Sequence, residues 1–168
     1  WERDMEKRWL EHYLPRHVKL AVGAKQVLKE LHRMGFRIGL VSNGSAKEIP
    51  LYIRHASIES LLEVVVTADD VRRPKPFPDP LEEAAKRLGM PISRIFYVGD
   101  TVMDAESARS AGARLGLVLS GIGNRQDLIE QNPDILLESI GDLPESIVQF
   151  IRANRCVPPK SSLKLLKA

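Results

Sequence analysis

Residues 96–113 read FYVGDTVMDAESARSAGA. Apolar and aromatic residues run into Gly99, and two carboxylates follow at Asp100 and Asp104. A buried strand that exits onto charge requires compensation, because a carboxylate taken out of water is costly unless something offsets it. The stretch therefore predicts a strand, a functional turn and a helix, the last over DAESARSAG (104–112).

The same alternation extends in both directions. FRIGLV (36–41), LEVVVT (62–67), RIFYV (94–98), RLGLVL (114–119) and DILLES (134–139) read as five short buried strands. Helical patterns flank them at 22–35, 79–89, 104–112, 125–131 and 143–153. Gly35 suits the end of the first helix. Asp79 and Pro80 suit a cap and first turn. Pro50 falls where a helix after SNGS (42–45) should run, so that helix is expected late, broken or kinked. Alternating strands and helices predict an α/β fold: a three-layer, Rossmann-like parallel sheet with helices on both faces. Such sheets bind ligands outside the carboxyl ends of their strands.

Bulk properties exclude several classes. The hydrophobic share is 43%, the charged share 28% and the net charge +3. That charge is too small and too dispersed to argue for nucleic acid. No apolar run approaches the roughly 18 residues of a membrane span. Cys156 is the single cysteine, so no internal disulfide is possible, and a cytoplasmic setting is the expectation. The four histidines show no metal-ligand spacing, and neither a Walker loop nor a dinucleotide glycine fingerprint is present. Trp1, Met5, Trp9 and Tyr13 recur every fourth residue, a helix face in search of a partner. Three regions are expected: 1–22, a core over 23–153, and a basic flexible tail over 154–168.

Chemistry collects at the strand exits. Ser42 and Asn43 follow the first strand, Lys75 follows the second within RRPKPFPDP, and Asp100 and Asp104 follow the third. A hydroxyl, an amide and a fixed cation suit an anion. Carboxylates suit Mg²⁺, which takes one or two of them plus water and phosphate oxygens. Phosphoryl transfer needs this equipment. Simpler readings stand beside each residue. Ser42 fits a turn, Ser45 with Glu48 a capping box, Lys75 a solvated loop, and Asp104 a first-turn helix acid.

The order of these residues is more specific than any one of them. Lys75 lies 33 positions after Ser42, and Asp100 lies 25 after Lys75. In GLVSNGS, RRPKPFPDPLEEAAKRLGM and IFYVGDTVMDAESARSAGA the chain resembles the haloacid dehalogenase superfamily, in its phosphoglycolate-phosphatase-like branch, from about residue 23 to 151. The resemblance implies a Mg²⁺-dependent hydrolase acting on a small phosphorylated metabolite through an aspartyl-phosphate. It implies Ser42, Asn43 and Lys75 as phosphate-binding residues, with Lys75 and Ser42 catalytic, and Asp100 and Asp104 as metal-holding residues. It also implies that residues 1–22 are a remnant of a helical cap. No nucleic-acid or membrane partner is implied. A phosphomutase, a dehalogenase or a non-catalytic relative remain open alternatives.

One departure stands out. The family's first motif, Asp-x-Asp on a central strand, has no match here. The expectation is a fragment whose central strand is missing, with an open slot between strands 36–41 and 94–98. Unpaired inner edges would make the isolated chain aggregation-prone. Activity of the chain alone would mean that some other acid in it serves as the nucleophile, with Asp69 and Asp70 as candidates.

Overall fold

The computed structural model describes Arg8, residues 19–154 and the backbone of 164–167. The aromatic stripe of residues 1–13 and Cys156 lie outside the described residues. Among residues 19–154 and 164–167, six strands and six α-helices carry the architecture. They are α1 (Ala24–Arg33), β1 (Arg37–Val41), α2 (Ile49–Ala56), β2 (Val64–Val66), α3 (Asp79–Arg87) and β3 (Ile95–Gly99). There follow α4 (Val102–Ala111), β4 (Arg114–Val118), α5 (Arg125–Glu130), β5 (Ile135–Leu137), α6 (Leu143–Ala153) and β6 (Lys164–Lys167). The five strands and five helices expected from sequence are present with shifted ends. The helix after SNGS begins late, at Ile49, with Pro50 in its first turn, where a missing N–H costs nothing. At α3 the expected cap moves by one: Pro78 precedes the helix, and the Asp79 carboxylate pairs with Arg73.

The sheet order is β2-β1-β6-β3-β4-β5, and every pairing is parallel. Period-two alternation splits each strand between two cores. Ile38, Phe96 and Val98 face one layer, with Val27, Leu28 and Leu31 of α1, Ile49 and Ile53 of α2, and Leu143 and Ile147 of α6. Val41, Val66, Ile95, Tyr97 and Leu117 face the other, with Leu81 and Ala84 of α3, Ala105 and Ala108 of α4, and Leu128 of α5. Small residues on α4 let that helix sit close to the sheet. The three-layer α/β fold is thus the one expected.

The centre of the sheet differs from expectation. β1 and β3 do not pair with each other, so the one-strand gap between them is real. It is not open. β6 lies in it, with Leu40 and Val98 both level with Lys167. Residues 164–167, expected to belong to a loose tail, complete the hydrogen bonding of both inner edges. The physical ground for aggregation through those edges is therefore removed.

A chain ending at Ala153 would strip both inner edges of their partner and expose them for pairing with other molecules. We expect it to self-associate in size-exclusion chromatography and to unfold at lower urea than the 168-residue chain. A monomeric truncation with an unchanged midpoint would contradict the placement of β6.

Candidate active site

Asp104 sits in the first turn of α4, and its carboxylate is saturated by protein donors. Thr101 precedes the helix and forms a capping box with it: the Asp104 N–H donates to Thr101 Oγ1 at 3.2 Å, and the Thr101 N–H donates to Asp104 Oδ2 at 3.0 Å. Oδ2 also accepts from the Asp100 N–H at 3.1 Å and the Thr101 hydroxyl at 2.7 Å. Oδ1 accepts from Lys75 Nζ at 2.7 Å and from the Tyr97 hydroxyl at 2.8 Å. Lys75 Nζ lies 3.2 Å from that same hydroxyl, closing a triangle. The Asp104 side chain is 1% exposed and that of Lys75 8%. Burial alone would raise the Asp104 pKa. The Lys75 charge and the hydrogen bonds from Lys75, Thr101 and Tyr97 outweigh it, and the net shift is downward. Burial, with the nearby Asp104 charge, pushes the Tyr97 phenol well above its usual range.

Asp104, expected to help hold the metal, has both oxygens hydrogen-bonded to the lysine, the tyrosine and the helix start. Gly99 makes the arrangement possible, because a Cβ there would collide with the Asp104 side chain. The glycine between strand and acid is a packing requirement.

Lys75 is held from two directions. Its ammonium is fixed by Asp104 and Tyr97, with its third proton uncommitted among the described residues. Its backbone is gripped by Asn43: the Lys75 N–H donates to Asn43 Oδ1 and Asn43 Nδ2 donates to the Lys75 carbonyl, each at 2.9 Å. The Asn43 side chain, expected on the phosphate, is therefore occupied by the lysine loop.

Ser42 and Asp100 both line a cleft of about 710 Å³. Ser42 Oγ accepts from the Gly44 N–H at 3.1 Å, which leaves its own proton available. Lys75 is not among the residues that line the cleft; its ammonium lies against Asp104 and Tyr97. The reciprocal bonds expected between Ser45 and Glu48 are present, at 2.8 Å between hydroxyl and carboxylate and 3.3 Å from the Glu48 N–H.

The turn after β4 escaped the sequence reading. The Ile122 N–H donates to Asp100 Oδ2 at 3.1 Å, and the Gly123 N–H to the Asp100 carbonyl at 3.0 Å. At Gly121 any Cβ would strike the Asp100 carboxylate. The signal was the GIG spacing of residues 121–123, which reads only as a turn until the neighbouring strand is known. One Asp100 oxygen is thus anchored, while Oδ1 accepts no hydrogen bond from another described residue. Asp69 and Asp70 are committed elsewhere. Asp69 accepts from the Ala46 N–H at 2.6 Å, and Asp70 from Thr67 and Arg87.

The profile of the haloacid dehalogenase-like hydrolases matches residues 2–118, which is more than half of the chain. The chain belongs to this family. Among curated relatives, a pyrophosphatase PpaX from Bacillus velezensis is 33% identical over 118 residues, covering 70% of this chain and 55% of the relative. The corresponding protein from Bacillus pumilus is 32% identical, covering 69% and 54%. The chain thus spans about half the length of these relatives. Among solved structures, a HAD family hydrolase from Deinococcus radiodurans with bound phosphate and sodium superposes with TM-score 0.68 at 25% identity, covering 76% of this chain and 58% of that one. A protein described as a predicted phosphoglycolate phosphatase from Haemophilus somnus reaches 0.74 at 21% identity, covering 84% and 64%, a likeness of fold. Among the described residues, no helix of this family member is long and apolar enough to cross a membrane.

The turn that carries Asp69 and Asp70 supports the serine loop, so its titration bears on stability. Hydrogen bonds from Thr67 and Arg87 hold the Asp70 carboxyl down to about 2. A lowered pKa contributes stability that is fully present above the unfolded value of about 3.9 and is lost as pH falls toward the folded one. We therefore expect the urea midpoint to fall more steeply between about pH 4 and pH 2 in the native chain than in an Asp70→Asn variant. Parallel acid limbs would contradict the assignment.

Proposed function

We propose that this chain carries the phosphate-holding half of a haloacid dehalogenase-type phosphatase for a small phosphorylated metabolite. One observation carries the reading: the buried Asp104 carboxylate binds the Lys75 ammonium on one oxygen and the backbone N–H of Asp100 on the other, and Asp100, half-anchored, shares a cleft wall with the Ser42 hydroxyl. The phosphate in the Deinococcus radiodurans relative and the pyrophosphatase name of the Bacillus relatives support the same substrate class.

In this reading the Ser42 hydroxyl donates to a phosphoryl oxygen. The third proton of Lys75 points its charge at the same group, where negative charge accumulates during transfer. Asp104 and Tyr97 keep the ammonium in place and so act through Lys75. Asp100 fits one position of a Mg²⁺ site, having a single oxygen free on a partly exposed side chain. No group of three or more His, Cys, Asp or Glu side chains among the described residues could hold an ion alone, so water, substrate and a further segment would supply the remaining ligands. When bound, Mg²⁺ would neutralise charge on the phosphoryl oxygens. The family's Asp-x-Asp pair would supply the attacking carboxylate and the acid/base for the leaving group.

A second reading, a phosphate-binding relative without turnover, is favoured by β6, which closes the centre of the sheet with a segment carrying no acid. Hydrolysis of an aryl phosphate by the protein, together with any segment that precedes Trp1, separates the two. The phosphatase reading expects Mg²⁺-dependent release of phosphate and a drop of roughly 100-fold or more in Asp100→Asn. It also expects a loss in Lys75→Arg, because a planar guanidinium cannot occupy the triangle with Tyr97 and Asp104. Absence of turnover in the unmutated protein would favour the second reading, and an unaffected Asp100→Asn variant would remove that residue from the site.

A further inference from the structure

We infer that Asn43 is a positioning residue, which fixes Lys75 against the serine turn and acts on the substrate only through that lysine. The inference rests on the phosphatase reading and assigns Asn43 a part within it.

The argument begins with the prolines. Pro74, Pro76 and Pro78 lack N–H groups, so the run from 74 to 78 has two backbone donors, Lys75 and Phe77. The Phe77 N–H turns inward to the Pro74 carbonyl at 3.1 Å. The Lys75 N–H is then the one backbone donor of this run that can tie it to another part of the molecule, and it goes to Asn43 Oδ1. The returning bond from Asn43 Nδ2 to the Lys75 carbonyl makes the grip two-pronged, and two parallel bonds fix orientation as well as distance. Loop and α4 meet at one further point, where the Ser107 hydroxyl donates to the Phe77 carbonyl at 2.7 Å.

Asn43 is itself well supported. Its neighbour Ser42 donates its N–H to the Val66 carbonyl at 2.9 Å, and the Ala68 N–H donates to the Gly44 carbonyl at 3.1 Å. Asp69 accepts from the Ala46 N–H. The turn that presents the Ser42 hydroxyl is therefore pinned to the end of β2, and Asn43 transmits that fixed position to Lys75. An asparagine suits this task because one planar amide offers a donor and an acceptor side by side, matching the N–H and C=O of a single residue. Oδ1 and one Nδ2 proton are thus committed to the Lys75 backbone, and one Nδ2 proton stays uncommitted, so the experiment has to separate a positioning role from direct phosphate contact.

The test uses Asn43→Ala and Asn43→Asp in the full-length protein, with amide hydrogen exchange at Lys75 and steady-state hydrolysis of an aryl phosphate. Asn43 is exposed, so neither variant threatens the core. Asn43→Ala should speed exchange of the Lys75 amide about 3- to 10-fold, the effect of losing one ordinary hydrogen bond. It should lower kcat roughly 10- to 100-fold, as a small misplacement of a reacting group does, while KM moves much less. Asn43→Asp keeps the acceptor for the Lys75 N–H and should retain more amide protection and more kcat than the alanine variant. Three results would each overturn the inference: unchanged Lys75 exchange in Asn43→Ala, unchanged kcat, or a raised KM with the aspartate variant worse than alanine. The last is the pattern of a direct phosphate ligand. An unmutated protein without turnover would fail differently, by removing the phosphatase reading on which the inference stands.

Discussion

The site depends on how one buried carboxylate is satisfied. Asp104 accepts five hydrogen bonds, three on one oxygen and two on the other. The first set ties it to the start of α4 and to the backbone of Asp100. The second fixes Lys75 and Tyr97. Removing one partner of such a pair leaves an uncompensated charge in the interior, costing about 3–5 kcal/mol, even though the intact pair adds little net stability. The arrangement is better understood as a device for orientation. It places a lysine from the β2–α3 loop and an aspartate from the end of β3 in fixed relation, and it does so from a helix whose position is set by close packing on the sheet.

Much of this was legible in the sequence because strand exits concentrate chemistry. The apolar runs around Gly39, Val65 and Val98 declared a parallel sheet, and the residues just beyond them were the right ones to suspect. Their partners were harder to read. A first-turn acid and a metal ligand look alike in one dimension, and Asp104 combined the helix-capping pattern with an attachment to Lys75, which lies 29 positions away. The motif resemblance implies a phosphate contact for Asn43 and contains nothing of its hold on the lysine loop. Its two bonds to Lys75 span 32 positions and follow from where the proline-rich loop returns, which periodicity does not encode. The turn at residues 121–123 was missed for the same reason: its purpose appears only when β4 lies beside β3 and brings Gly121 against Asp100.

The sheet's centre shows how hydrogen-bond accounting acts on a whole fold. β1 and β3 are apolar strands separated by one strand's width, and each has a row of backbone groups that must find partners. In this chain β6 supplies them. A sheet so completed holds Ser42 and Asp100 at the ends of two strands that flank β6, a strand whose residues 164–167 carry no acid.

The most direct test of the account is a double-mutant cycle between Lys75 and Asp104, read as urea unfolding free energies of the native chain, Lys75→Met, Asp104→Asn and the double variant. If the buried aspartate is held chiefly by the lysine, the two substitutions should couple by about 1.5–3 kcal/mol, with the double variant costing far less than the sum of the singles. Additivity within about 0.5 kcal/mol would show that the two residues do not depend on each other, and would contradict the claim that Asp104 is spent on Lys75.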